Sequence, residues 1–301
     1  MNIYEYITDA IIAQLEQGEI PWRKPWTGSA ADCAVSHATG KPYSLLNQLF
    51  LRPGEYITFK QCRDEGGRVK EGAKAKTVVF WKVLQSKLVD ADGHDVTDAD
   101  GNLMIKTIPV LKYYHVFHID DCEGITPRFS QENAEPSAVS PIGRADDVLA
   151  DYVRREGIRL EIISTNDAYY RPADDLIHLP QLSQFADPAE YYSTAFHEAT
   201  HSTGHASRLN RFTPENFTSR EEYSKEELVA EIGSACILHQ LGIETPGSFR
   251  NSAAYIQGWL RALQDDKRLI VSAASRAEKA VNRIMEPTDA ITLDDLAVLV
   301  A

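Results

Sequence analysis

Cysteine is scarce. The chain has four, Cys33, Cys62, Cys122 and Cys236, and none forms a Cys-x-x-Cys pair. That spacing excludes a disulfide scaffold and a thiolate zinc cluster, and free thiols in a reducing compartment are the simplest reading. Long apolar runs are also missing. No stretch approaches the ~20 residues that span a bilayer, and Met1 to Ala10 has neither the basic nor the apolar region of a secretory signal. A cytoplasmic protein with no membrane attachment is expected. The third absence is an excess of positive charge: 31 Lys and Arg face 44 Asp and Glu, for a net −13. With 301 residues, 43% of them hydrophobic, the chain can bury one large core or two ordinary ones.

What is present is a metal motif. The run Ala195-Phe196-His197-Glu198-Ala199-Thr200-His201-Ser202-Thr203-Gly204-His205 contains His197-Glu198-x-x-His201. On a helix, positions i and i+4 share a face, so both imidazoles reach one ion. Glu198 projects about 100° round the helix, where it can address a water on the metal as the catalytic base of a zincin peptidase. Helix signals surround the motif: Asp187 as N-cap, Pro188 in the first turn, Glu190 as a capping-box acid and Gly204 as a stop. Tyr191, Tyr192, Ala195, Phe196 and Ala199 supply a face to bury. A surface helix carrying two ordinary histidines is the competing reading.

A catalytic zinc takes three protein ligands and leaves one position for water. His205 is a poor third, because i and i+8 lie about 12 Å apart on a straight helix. Position 207, where another zincin class places its third His, is Ser207. Glu227 and Glu231 remain, one turn apart on a second helix. The pair resembles that of gluzincin peptidases, and the resemblance implies Glu227 as ligand with Glu231 behind a ligating His, or as the alternative ligand. Against this, Ser224-x-x-Glu227 is also a capping box, in which Glu227 only satisfies a backbone N–H. Zinc is the expected metal, with another divalent ion such as manganese as the alternative.

The chain divides. Residues 130–141 are polar and aperiodic, with Pro and Ser, and read as a linker between a domain at 1–129 and a metal-motif domain at 142–301. In the first, 2–17 is an amphipathic helix on the ridge Ile3, Ile7, Ile11, Leu15; 43–51 is a short buried helix; 60–65 is a helical turn; 77–84 and 111–117 are strands. The five acids of 90–102 lack calcium-loop spacing and read as a solvated hairpin tip. In the second, a helix at 146–155 precedes strands at 158–164, 169–170 and 176–179. Helices follow at 187–204, 224–240, 249–265 and 268–285, with a short one from Leu293. Asp175 to Leu179 is either an edge strand for a peptide substrate or an internal strand. Strands before a run of helices indicate α+β architecture, the metal domain being mainly helical with a small sheet.

Charge is uneven. Residues 1–125 carry a net −3 and 126–301 a net −10, yet 60–87 holds eight basic residues against three acids. Lys60, Arg63, Arg68, Lys70, Lys74 and Lys76 are candidate phosphate contacts, and Tyr43 and Asn47 are added as candidate contacts to the nucleic acid. Pro21-Trp22-Arg23-Lys24-Pro25-Trp26 reads as an extended path on which Trp22 and Trp26 stack bases while Arg23 and Lys24 meet phosphates. The alternative is that both indoles pack on the core. Single-stranded DNA bound without sequence preference is the candidate partner, and a solvated basic face is the competing reading of the cluster.

The sequence resembles the ArdC-type antirestriction proteins of conjugative plasmids, which are related to the N-terminal part of TraC-type plasmid primases. The matching stretches are Leu15 to Gly18 with Pro21 to Trp26, Gly40 to Tyr43 with Asn47, Ile57 to Gln61, Gly66 to Gly72, and Cys122 to Gly124. They continue through Phe196 to Gly204, Ser207 to Arg211, Glu226 to Gly233, and Tyr255 to Arg268. The resemblance covers nearly the whole chain in order. Ser44-Leu45-Leu46, before Asn47, and the acidic 90–102 insertion depart from the pattern. The resemblance implies an N-terminal domain that binds single-stranded DNA and a C-terminal zincin-like metallopeptidase domain. It also implies protection of incoming plasmid DNA during conjugation, in the recipient cell, with a restriction or regulatory factor as a protein substrate. The alternative function is an intracellular zinc metallopeptidase that cleaves a DNA-associated regulator.

Overall fold

The computed structural model describes residues 2–23, 33–90, 94–98, 101–129, 140–212, 220–243 and 252–286. The fold is α+β, as expected. Helix α1 (Ile3–Glu16) buries its ridge, starts where Asn2 accepts a hydrogen bond from the Tyr4 amide, and ends just before Gly18 at φ 81°. Pro21–Arg23 is not an extended path but a turn of 3-10 helix, since the fixed φ of proline also suits the first turn of a helix.

Strand β1 (Ala34–Ser36), the short helix α2 (Leu45–Gln48), β2 (Gly54–Ile57), α3 (Phe59–Asp64) and β3 (Arg68–Val69) come next. A capping box between Thr58 and Gln61 opens α3. Strands β4 (Lys76–Lys87) and β5 (Ile105–His118) then form a long antiparallel hairpin. The main sheet has the order β1-β2-β5-β4, and β3 pairs with β6 (Cys122–Glu123) in a small second sheet. Helix α2 stitches strands that it does not extend. The Asn47 side chain donates to the Val79 carbonyl and accepts from the Val79 amide, both at 2.8 Å. Gln48 does the same for Ala34.

Of the expected linker, 130–139 lies outside the described residues, as does the helix expected from Leu293. Helix α4 (Pro141–Glu156) begins at a Ser140 cap and ends on Gly157 at φ 67°. Strands β7 (Arg159–Ile163), β8 (Tyr169–Arg171) and β9 (Leu176–Pro180) form a sheet of order β7-β9-β8. β9 is therefore the central strand, bonded on both sides, and the edge-strand reading of Asp175 to Leu179 is corrected to the internal one. Helices α5 (Pro188–Ser202), α6 (Arg220–Leu241), α7 (Ser252–Asp265) and α8 (Leu269–Met285) complete the described chain.

One core joins the two halves. The largest buried cluster includes Ile7, Ile11 and Leu15 of α1 together with Phe196 of α5, Leu228 of α6, Leu263 of α7 and Ile270 of α8. Polar contacts follow the same route: the Thr8 hydroxyl donates to the Lys267 carbonyl at 2.7 Å, and the Leu45 amide donates to Glu278 at 2.8 Å. Among the described residues no helix is long and apolar enough to cross a membrane.

Candidate metal centre

Helix α5 is the platform. The Asp187 side chain accepts from the Ala189 amide at 2.9 Å, and Pro188 occupies the first turn. Tyr192, Ala195, Phe196 and Ala199 are buried, which fixes the rotation of the helix and turns His197 and His201 towards α6. The chain then leaves α5 tightly: a Cβ at Gly204 would lie 2.9 Å from the Phe212 ring and 3.1 Å from the His201 carbonyl oxygen.

Helix α6 lies close enough to complete the site because Gly233 has no side chain. A Cβ there would approach Thr200 Cγ2 to 2.7 Å. α6 begins at Arg220, so Ser224 lies a turn inside it. The capping-box alternative for Glu227 requires Ser224 at the helix start, and that requirement is not met.

Three side chains converge. His197 Nε2 and His201 Nε2 are 3.1 Å apart, and the two Glu227 oxygens lie 3.5 Å from the first and 3.4 Å from the second. Among the described residues, His197, His201 and Glu227 are the group whose ligand atoms all fall within 4.8 Å of one another, and Glu231 joins no such group. Ligands ~2.0–2.2 Å from a tetrahedral ion sit about 3.3–3.5 Å from each other. The triangle is close to that spacing, with the two rings slightly inside it, and suits a divalent ion. Glu198, adjacent to His197, is only 8% exposed. His205 stands apart, its Nδ1 2.8 Å from Ser207 Oγ.

The field at the site favours a cation. Burial works against a charge on His201, yet Glu226 and Glu227 outweigh it and push the ring up to about 9. Burial likewise opposes the Glu227 charge, and the two His rings overcome it, holding the carboxyl far below its usual range.

The sequence put Glu231 behind a ligating His; at His201 the carboxylate in that place is Glu226. Glu226 Oε1 lies 3.5 Å from His201 Nδ1, on the side of the ring away from Glu227. Glu226 is itself gripped by Arg211 through Nη2 at 2.7 Å and Nε at 3.0 Å, and Arg211 also donates to Thr203 Oγ1 and the Thr200 carbonyl. Arg208 donates to the Ser202 carbonyl at 2.8 Å and pairs with Asp175 and Tyr170. Both arginines fall in a loop without periodicity. Their signal was the shared stretch Ser207 to Arg211, which marks the positions but not the roles.

The residues singled out for nucleic acid scatter. Trp22 is fully buried and packs edge-on against Trp259 at 5.0 Å. It is corrected from a base-stacking residue to a core residue, because the 3-10 turn rolls the indole inward. Asn47 is corrected as well: it is buried and its amide is spent on Val79 and Ser44. The Arg23 side chain, Lys24 and Trp26 lie outside the described residues. Tyr43 is half-buried; burial first, then the Tyr114 hydroxyl, pushes its phenol far above the usual range. Lys60, Arg63, Lys74 and Lys76 are exposed. Arg68 pairs with Glu123, and Lys70 donates to the Asp120 carbonyl.

Comparison with known proteins agrees with this architecture. Residues 147–276 match the zincin-like metallopeptidase family, and residues 1–117 match the N-terminal domain of anti-restriction factor ArdC. Crystal structures of the antirestriction ArdC protein from plasmid R388 superpose with a TM-score of 0.71. The metal-free form is 36% identical over 95% of this chain and 97% of its own, and the Mn(II)-bound form is 35% identical over 94% and 97%. Two Escherichia coli proteins, each a DNA primase TraC, are 34% and 35% identical over 92% of this chain, but the chain spans only 19% and 26% of their lengths. Protein y4eC of Sinorhizobium fredii is 31% identical over 92% of this chain and 90% of its own. The second half is thus a zincin-like domain, a class that implies a divalent metal. The chain as a whole belongs to the ArdC antirestriction family.

Proposed function

We propose that this protein is an antirestriction factor that binds single-stranded DNA without sequence preference and protects incoming plasmid DNA during conjugation. DNA binding is assigned to residues 1–129 and metal chemistry to 142–301. The observation that carries the reading is the His197, His201 and Glu227 triangle, inside a chain that matches ArdC over 95% of its length.

In this reading His197, His201 and Glu227 hold zinc or manganese. A divalent ion there supplies Lewis acidity, lowering the pKa of a bound water and polarising a carbonyl. Glu198 takes the proton from the attacking water and delivers it to the leaving amine, as a buried carboxylate beside the first ligand can. Glu226, held by Arg211, orients the His201 ring through Nδ1. β8 is an edge strand of its sheet, and a peptide substrate is assigned to it in place of the central β9.

The test compares wild type with Glu198→Gln. Bound metal, proteolysis of candidate restriction factors and plasmid transfer into a restricting host are all measured. Metal retained with both activities lost supports the reading. A Glu198→Gln protein that keeps its metal and protects DNA fully would separate protection from peptide hydrolysis. Cleavage of one regulatory protein, with a phenotype in cells that receive no plasmid, would favour the regulatory peptidase instead.

A further inference from the structure

The outer half of the β4–β5 hairpin is unlike the rest of this acidic molecule. From Phe80 to Lys87 every β4 residue is exposed, and so is β5 from Ile105 to Pro109. Eight residues at 3.3–3.4 Å each make an arm roughly 25 Å long. The strands 76–87 and 105–118 carry five Lys and no acid, in a chain of net charge −13, and of the five Lys87 is paired with Asp95 of the acidic tip.

Residues opposite each other on an antiparallel ladder point to the same side. The register pairs Val78 with Tyr114, Phe80 with Lys112, and Ser86 with Lys106, which places Phe80, Tyr114, Lys76, Lys82, Lys106 and Lys112 on one face. At its foot Val78 and Val116 are buried in a core cluster. Further out, Phe80 is 44% and Tyr114 37% exposed, with their rings 5.6 Å apart. Lys82 and Lys112 are diagonal neighbours with no acid between them.

We infer that this face is the docking surface for single-stranded DNA, an inference that rests on the DNA-binding reading above and says where on the chain it happens. Two exposed rings offer stacking faces; Lys76, Lys82 and Lys112 flank them and Lys106 lies further out on the same face to meet phosphates, a combination that accepts any base. A duplex hides its base faces, so the rings select an unpaired strand. The charge complementarity is one-sided and local, which also explains how an acidic protein holds a polyanion.

The test uses the full chain and fluorescently labelled oligo-dT, with anisotropy read over a range of salt. The variants are Phe80→Ala with Tyr114→Ala, and Lys82→Glu with Lys112→Glu. A charge-matched control changes Arg154→Glu and Arg159→Glu, which are exposed on α4 and β7. We expect about tenfold weaker binding per ring removed. The lysine pair should also lower the salt slope by about 2, and the control should bind as wild type. Iodouracil oligonucleotides should crosslink the wild type at Phe80 or Tyr114. Wild-type binding with both arm variants unchanged, or crosslinks elsewhere, overturns the inference and leaves the DNA-binding reading standing. No wild-type binding at any salt removes that reading and the inference with it. A dimer in sedimentation that Phe80→Ala abolishes, with oligo-dT affinity unaltered, assigns the face to a second copy and also overturns the inference.

Discussion

At Glu226 two demands meet. Burial opposes its charge, but His201 and Arg211 more than compensate and hold the carboxyl below its usual range. An ion at the triangle would depend on that arrangement, because an imidazole that can rotate is a weaker ligand. Glu226→Gln is expected to weaken metal binding about 10–100-fold, measured by competition with a chromophoric chelator; an unchanged affinity would deny Glu226 its positioning role. A second residue-scale prediction concerns His239 on α6. Burial lowers its ring from 6.5 to about 4, with a hydrogen bond to the Trp22 backbone acting against that. A group whose folded value lies below its unfolded one binds fewer protons when folded. Stability should therefore fall as pH drops from about 6.5 to about 4 and then level off, by up to about 3 kcal/mol. His239→Gln should flatten that part of the curve of Tm against pH, and parallel curves for the two proteins would exclude it as the source.

Between elements, the decisive contact is that of α5 with α6. Gly233 faces Thr200, where a Cβ would lie 2.7 Å from Cγ2, 2.9 Å from Oγ1 and 3.4 Å from Cβ. Gly233→Ala must push the helices apart or displace Thr200, at about 1–3 kcal/mol, and it should move Glu227 away from the two histidines. Both Tm and metal affinity are expected to fall. Thr200→Ala removes the two nearest atoms, so the double variant should recover most of the loss, a coupling that a double-mutant cycle reads directly. Additive losses would show that the two side chains do not clash. The elements themselves were largely legible in the sequence. α1, α4 and α5 carry their caps and apolar ridges in the order of residues, and β4 its β-branched and aromatic run. The start of α6 was misplaced, because two Ser-x-x-Glu spacings compete in the sequence, Ser219-x-x-Glu222 and Ser224-x-x-Glu227. The second lies inside the helix, which begins at Arg220. The hairpin was read shorter than it is, as strands at 77–84 and 111–117, where the ladder runs over 76–87 and 105–118.

At the scale of the whole molecule, α1 packs against α7 and α8 and shares their core. Trp22 of the first half seals against Trp259 of the second. A chain knit this way should melt in one cooperative calorimetric transition; two transitions, one insensitive to chelator, would show that the halves fold independently. Removing the divalent ion should lower that single Tm, by the equivalent of about 2.7 kcal/mol when free metal stood at a hundred times its Kd.

The sequence by itself determined the fold class, the His197-Glu198-x-x-His201 platform and, through the run of shared stretches, the family. Those properties are local: helix spacing places two rings on one face whatever surrounds them. Tertiary structure decided which carboxylates meet the two rings, that Trp22 and Asn47 belong to the interior, and that β9 is flanked on both sides. It also decided that Phe80 and Tyr114 face outward beside lysines. Each of these depends on residues far apart in the chain being brought together. Periodicity says which side of an element is apolar, but only packing says what that side meets.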